Sequence, residues 1–245
     1  DFLHALHDFT KKRRPDFWLM GEVVHGDYRK WANPDTLDSV TNYECYKGLY
    51  ASLKDANYFE IAYGINRQFG KGGIYRDFPM YNFVDNHDVD RVASKLDNPG
   101  LLYPLYLLLF TMPGIPSIYY GSEWGITGVK TRWTDAPLRP ALDIESMTHR
   151  APQPHLRSVI RRLSKIRQDS KALKYGDYSQ IFVDHQQYAF LRSLPDEIVL
   201  VILNSDVKRK ELLMDLPWRE GLLFDQLNPD DQISIVEGKV RLSMP

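Results

Sequence analysis

The chain has 245 residues, with 31 basic and 32 acidic side chains and a net charge of −1. That length holds one large domain, or a medium one with a smaller one attached. The balanced charge, with no block of like sign, argues against a nucleic-acid binder or a polybasic membrane surface. The single cysteine, Cys45, excludes a disulfide framework and a cysteine-based zinc site, and leaves the compartment open.

Phe2, Ala5, Leu6 and Phe9 fall at helical spacing, which predicts an opening helix that ends by Pro15, with Lys11-Lys12-Arg13-Arg14 as its basic end. Residues 17–23 read as a buried strand, and a polar, aromatic loop follows over 25–38. Residues 39–43 read as a further short strand, 44–53 and 57–69 as helices, and 81–85 as a strand. The stretch 101–122 carries no charge, and hydropathy alone would mark it as a membrane span. Pro104, Pro113, Gly114 and Pro116 interrupt it, so it reads instead as a buried helix, a turn and a buried strand over 115–120. Residues 121–154 read as irregular, and Leu156, Val159, Ile160, Leu163 and Ile166 mark one face of a helix.

Strands and helices succeed one another up to this point, which implies a parallel sheet with crossover helices. The strands are almost wholly apolar, as strands covered on both faces are. After Lys174 the pattern changes to short strand-like runs: 178–183, 187–194, 197–204, 209–215, 222–224, 232–236 and 239–243. Ser193-Leu194-Pro195-Asp196 and Glu237-Gly238 read as turns between neighbours. These runs predict a small antiparallel sandwich. The expected division is residues 1–173 and 174–245, with the boundary near 171–177.

Two acidic motifs close apolar, strand-like runs: Gly21-Glu22-Val23 after Phe17-Trp18-Leu19-Met20, and Asn86-His87-Asp88 after Tyr81-Asn82-Phe83-Val84. Catalytic carboxylates stand at such strand ends in parallel barrels. The plainer readings are a strand-end ion pair for Glu22, and a turn out of the strand made by Asn86 and Asp88; the turn leaves His87 unexplained. Asp90-Arg91 reads as an ordinary loop ion pair. Tyr28, Trp31, Tyr119, Tyr120, Trp124 and Trp133 fall in or near the strand-end loops, where aromatic faces stack on sugar rings; packing in the core is the commoner fate of any one of them. Glycosidases work with a carboxylate pair about the scissile bond, one protonated and one ionised. Glu22, flanked by Met20, Gly21 and Val23, fits the acid, because an apolar setting raises a carboxyl pKa. Asp88, in a polar run, fits the ionised partner. Gly21 leaves room for close approach to the backbone.

These residues resemble a known family. Trp18-Leu19-Met20-Gly21-Glu22 with His25 is similar to the fifth-strand motif of the α-amylase superfamily. The run from Phe83 to Arg91 resembles its seventh-strand motif, and the run from Met112 to Glu123 its eighth strand and following loop. Residues 163–177, with Arg167, Leu173 and Gly176, resemble the last barrel helix leading into the C-terminal sandwich. The resemblance covers essentially the whole chain, and His25, Trp31 and Asn42-Tyr43 lean toward the neopullulanase, cyclomaltodextrinase and maltogenic-amylase branch.

The resemblance implies a (β/α)8 barrel that cleaves α-glucosidic bonds of maltooligosaccharides or related α-glucans with retention. It implies Glu22 as general acid/base, Asp88 as transition-state stabiliser and His87 as a binder of sugar hydroxyls. His25, Trp31 and Arg139, the last in Leu138-Arg139-Pro140, are the other substrate-binding candidates. The family's nucleophile is an Asp in an Arg-x-Asp motif at the end of the fourth strand, and no residue before Glu22 matches it. The expected fold is therefore α/β plus all-β: strands five to eight of the barrel, then the sandwich. No cofactor is expected in this chain, and the family's calcium-binding loops would lie outside it. Four strands do not close a barrel of eight, so the chain alone is expected to be inactive and to self-associate through an open barrel edge. Two alternatives stay open. One is a non-catalytic, sugar-binding member of the superfamily, against which the presence of both Glu22 and His87-Asp88 speaks. The other is transglycosylation, which depends on water access to the covalent intermediate.

Overall fold

A computed structural model gives the structure of the chain and describes residues 1–244. Helix α1 (Phe2–Arg13) starts at Asp1, whose side chain accepts from the His4 backbone N–H. Its last turn carries Lys11, Lys12 and Arg13, cations that complement the negative helix end. Four short parallel strands follow, the first two joined by a loop with a single 3-10 turn and the rest by helices: β1 (Met20–Gly21), β2 (Ser39–Val40), α2 (Tyr43–Lys54), α3 (Phe59–Phe69), β3 (Tyr81–Asn82), α4 (Leu102–Thr111) and β4 (Ile115–Pro116). β1 pairs with β2, and β3 with β4, both in parallel. A parallel bridge between Thr41 and Tyr81 joins the pairs, so the strands lie side by side in sequence order. Four parallel strands with crossover helices are a partial TIM-type barrel.

A row of buried amides stitches this sheet together. Asn42 caps α2 by accepting from the Cys45 N–H, and its Nδ2 donates to Gln68 Oε1 at 2.9 Å and to Asn82 Oδ1 at 2.8 Å. Asn82 Nδ2 donates in turn to the Pro113 carbonyl at 2.7 Å. Each amide is buried and partnered, which is the condition for keeping polar groups in a core. The row fixes the mutual height of β2, β3 and the turn before β4. That turn runs through Gly114 at φ +102°, where a Cβ would sit 2.5 Å from the Met80 carbonyl.

The uncharged stretch resolves into α4 and β4. Leu105, Tyr106, Leu108 and Leu109 are fully buried, and Tyr103, Pro104 and Leu107 on the remaining side are half-buried, so α4 is apolar on nearly every side because most of it is covered. Among the described residues, no helix is long and apolar enough to cross a membrane.

The strands are shorter than the apolar runs that predict them, and β1, unlike the fully buried β2, is not covered on both faces. Leu19 is buried, but Phe17, Trp18 and Met20 are 44%, 41% and 39% exposed. Among the described residues β1 has a strand partner only on the β2 side. The stretch 39–43 divides: only Ser39–Val40 is strand, and the chain is helical from Tyr43. The stretch 121–154, read as irregular, contains α5 (Ile144–Arg150), which buries no residue.

Helices α6 (Leu156–Asp169) and α7 (Lys171–Tyr175) lead into two antiparallel sheets. The first is β5 (Asp177–Val183), β6 (Gln187–Leu194) and β7 (Glu197–Asn204), in that order. The second comprises β8 (Lys210–Asp215), β9 (Gly221–Phe224), β10 (Gln232–Val236) and β11 (Lys239–Met244), in the order β8-β11-β10-β9. Pro195-Asp196 turns β6 into β7, where Leu194 pairs with Glu197. Glu237 and Gly238, at φ 51° and 78°, turn β10 into β11 in the left-handed conformation that suits a tight hairpin.

The first sheet faces two cores. Tyr188 and Phe190 of β6 join the core of the barrel strands and helices, while Ala189 between them packs with Met214, Ile235 and Val240 of the second sheet. This is the period-two alternation of a strand, used to connect the two cores. Two buried cations fasten the same junction. Arg192 of β6 donates to the carbonyls of Thr111, Leu173 and Gly176 at 2.8–2.9 Å. Arg167 of α6 donates to the carbonyls of Phe110, Met112 and Gly114. Both guanidiniums thus sit at the C-terminal end of α4, where orphan carbonyls and the helix dipole favour positive charge.

Candidate active site

Glu22 follows β1, and His87 and Asp88 lie in the loop after β3. The parallel order of the strands brings their ends to the same rim. Glu22, His87 and Asp88 are all exposed, and one ligand atom from each lies within 4.8 Å of the other two. Two carboxylates and an imidazole thus converge from motifs far apart in sequence. They offer only part of the roughly six to eight oxygen ligands that calcium takes. As a set of acceptors and one imidazole on open ground, they suit sugar hydroxyls.

The loop after β3 is built around Asn86. Its Oδ1 accepts from the backbone N–H groups of Asp88, at 2.8 Å, and Val89, at 3.1 Å. This is the side-chain turn that asparagine favours, and it turns Asp88 back toward β1. Asn86 Nδ2 donates to the Tyr43 hydroxyl at 3.1 Å, and that hydroxyl donates to Glu22 Oε1 at 3.0 Å. Tyr43 therefore joins the two acidic motifs. Its ring stands edge-on to Phe83, with centroids 4.8 Å apart. Burial raises the phenol above its ordinary value, so it stays a proton donor at neutral pH. The sequence reading placed Tyr43 in a strand and gave it no part in the site. Its partners lie 21 residues before and 43 after it, and no local pattern shows that.

Glu22 is exposed, so Met20 and Val23 do not enclose it in the apolar setting that sequence neighbours implied. The space beside Gly21 is also filled differently: a Cβ there would meet Leu37 Cδ1 at 2.5 Å, so the close neighbour is a core side chain.

The segment after β4 supplies cations. Lys130 Nζ lies 3.3 Å from Asp88 Oδ1, and its backbone N–H donates to Asp90 Oδ1 at 2.7 Å. Arg139 Nε donates to the His87 carbonyl at 3.2 Å, and its Nη2 pairs with Asp135 at 2.7 Å. Arg139 thus reaches His87 through the backbone. His25 and Trp31 lie in the loop after β1, exposed, and neither hydrogen-bonds to the cluster among the described residues.

Of the six loop aromatics, Trp31, Tyr120 and Trp133 are exposed, whereas Tyr28 and Trp124 are core residues. Tyr28 packs on Tyr75 at 5.2 Å, and Tyr119 lies under the Arg91 guanidinium at 4.1 Å. Arg91 makes no pair with Asp90: Asp90 bonds Lys95 and the Lys130 backbone, while Arg91 is fully buried. Beneath the site Asp85 is also buried, which raises its carboxyl above the usual range. It accepts from Ser122 Oγ at 2.8 Å and from the Val92 N–H at 3.0 Å.

Residues 1–160 match the family described as alpha amylase, catalytic domain. The chain is 26% identical over 228 residues to a cyclomaltodextrinase of Thermoanaerobacter pseudethanolicus, a match that covers 91% of this chain and 38% of that protein. It is 34% identical over 234 residues to a cyclomaltodextrin glucanotransferase of Geobacillus stearothermophilus, covering 91% of this chain and 31% of that protein. An α-amylase from Geobacillus thermoleovorans, solved in complex with acarbose, superposes with a TM-score of 0.84 at 23% identity, over 99% of this chain and 54% of that one. The chain thus spans about a third of the length of these relatives, and about half of the solved enzyme. The family match over residues 1–160 shows that the chain belongs to the α-amylase family, with cyclomaltodextrinases and a neopullulanase among its relatives.

Proposed function

We propose that this chain carries the acid/base and the stabilising carboxylate of an enzyme that cleaves α-glucosidic bonds in maltooligosaccharides or related α-glucans with retention. The observation that carries the reading is the convergence of Glu22, His87 and Asp88 within 4.8 Å at one rim of parallel strands. In this reading Glu22 protonates the leaving glycosidic oxygen and later takes a proton from water. Asp88 and His87 hold hydroxyls of the sugar at the cleavage point, and Asp88 stabilises the oxocarbenium-like transition state. The four strands correspond to strands five to eight of a complete barrel. The attacking carboxylate belongs to the fourth strand, and no acid of this chain takes that role.

The reading is tested by turnover. The chain alone, incubated with maltoheptaose, is expected to release no product. Joined to a polypeptide that supplies the remaining strands and a nucleophilic aspartate, it is expected to hydrolyse or transfer maltosyl units, and to lose that activity by several orders of magnitude in Glu22→Gln and in Asp88→Asn. Turnover by the chain alone that Glu22→Gln leaves intact overturns the assignment. Product analysis with a sugar acceptor present distinguishes hydrolysis from transfer.

A further inference from the structure

The segment that borders the cluster on one side, residues 128–139, has no strand and only a single 3-10 turn, at Ala136–Leu138. Yet it places Lys130 beside Asp88 and Arg139 against the His87 carbonyl. Something outside the segment must fix it, and the structure assigns that role to Arg91. We propose that Arg91 is a positioning residue for the site: its buried guanidinium holds the segments after β3 and β4 together and so sets where His87 and Asp88 stand. The proposal rests on the reading of Glu22, His87 and Asp88 as a sugar-cleaving centre.

Arg91 Nη1 donates to the Tyr120 carbonyl at 2.7 Å and to Ser122 Oγ at 3.1 Å, and Nη2 donates to the Leu138 carbonyl at 2.7 Å. Its own backbone N–H donates to the Gly128 carbonyl at 2.9 Å. One planar group therefore ties three stretches of chain. Leu138 is the residue before Arg139, so the bond at Leu138 sets the base from which Arg139 reaches His87. Gly128 admits the close approach: a Cβ there would lie 2.3 Å from the Pro137 carbonyl and 3.1 Å from Arg91 Cγ. Ser122 links the guanidinium to Asp85, since its Oγ accepts from Arg91 and donates to the Asp85 carboxyl. A buried guanidinium with a buried carboxylate one hydroxyl away is costly to assemble and costly to break. A lysine cannot replace it, because an ammonium on a flexible stem does not span three acceptors in a plane.

The test uses the full chain, uniformly labelled with nitrogen-15, and the variants Arg91→Lys, Arg139→Gln and the double variant. In Arg91→Lys the backbone amide signals of His87, Asp88 and Arg139 are expected to shift or broaden, while the signals of β5–β7 stay in place. Maltoheptaose binding, followed on the same signals, is expected to weaken on the order of tenfold in each single variant and no further in the double, as for residues that act through one another. Unchanged His87 and Arg139 signals in a folded Arg91→Lys chain overturn the proposal, and so do losses that add in the double variant. Ser122→Ala, which removes one acceptor and the link to Asp85, decides in the same way where Arg91→Lys does not fold. If the signals shift as expected but the wild-type chain binds no maltoheptaose, the holding role of Arg91 stands, and it is the reading of this rim as a sugar site that fails.

Discussion

The Tyr43 hydroxyl donates to Glu22 Oε1 at 3.0 Å while accepting from Asn86 Nδ2 at 3.1 Å, so one phenol connects the two acidic motifs. Tyr43→Phe keeps the ring against Phe83 and removes that link. A hydrogen bond to a carboxyl group is worth about 1–3 kcal/mol. In a completed barrel kcat/KM on maltoheptaose should therefore fall roughly 5- to 160-fold. Urea denaturation of the same variant should show a loss of no more than about 1 kcal/mol, since the hydroxyl is partly exposed. A variant as active as the parent enzyme would show that Tyr43 is only packing.

Lys130 and Asp88 are each about half exposed and 3.3 Å apart. Such a surface pair contributes about 0–1 kcal/mol. Lys130→Met should leave the urea midpoint almost unmoved. Maltoheptaose carries no charge and the exposed pair is screened over about 10 Å at 0.1 M, so binding should change little with ionic strength in either protein, and the variant should bind within a few-fold of the wild type. The readout is a binding titration at low and high salt.

Alkali should unfold the chain earlier than neutral-pH stability suggests. Burial raises Tyr28 from 10.0 to about 12, and it raises Tyr46, Tyr58, Tyr106, Tyr178 and Tyr188 further. A folded-state pKa above the unfolded one means that the unfolded chain gives up its protons first. The stabilisation is complete below about pH 10 and is lost as pH rises toward the folded values, by about 1.4 kcal/mol per pH unit for each such group. Phenolate absorbance should rise in two steps, the exposed tyrosines near their ordinary value and the buried ones together with the loss of circular dichroism. A single smooth titration with the fold intact would contradict this.

Arg192→Leu should be the most damaging of these substitutions. It removes a 1%-exposed cation and strands the carbonyls of Thr111, Leu173 and Gly176. Leaving a buried acceptor without its donor costs about 1–3 kcal/mol, and three carbonyls lose theirs here. Burial, and the nearby charge of Arg167, hold the Arg192 guanidinium below its usual pKa, so the carbonyls rather than a carboxylate keep it in place. Urea unfolding followed by tyrosine fluorescence and by far-ultraviolet dichroism should give coincident curves in the wild type, because both cores share β6. The expected loss should appear in both.

The convergence of Glu22 with His87-Asp88 was legible because an acid that closes an apolar run has few structural reasons to be there. The alternation of strand and helix, and the short runs after Lys174, were legible for a similar reason: their periods differ, and each period maps onto one kind of element. Tyr43 and Lys130 were not legible as neighbours of the site, and Arg91, read as one half of a loop ion pair, was not legible as its anchor. Each acts across a distance in sequence that only the folded loops close. Tyr28 and Trp124 misled because an aromatic near a strand end looks the same on paper whether it faces sugar or core. Helix α5 escaped because Ile144–Arg150 buries nothing, so it has no apolar face to set a period. The length of β1 was overstated because hydropathy records what a strand prefers to touch, not whether a neighbouring strand is present to pair with it.

The sheet β5–β7 has Tyr188 and Phe190 on one side and Ala189 on the other, each built into a different core. It is a party wall rather than a hinge. Recombination between relatives that exchanged everything after Gly176 would therefore transplant half of a packed seam. A foreign sandwich would have to bring an arginine at the position of Arg192 and aromatics in register with Tyr178, Tyr188 and Phe190. The two halves of this chain are expected to vary together, with the seam residues changing as a set.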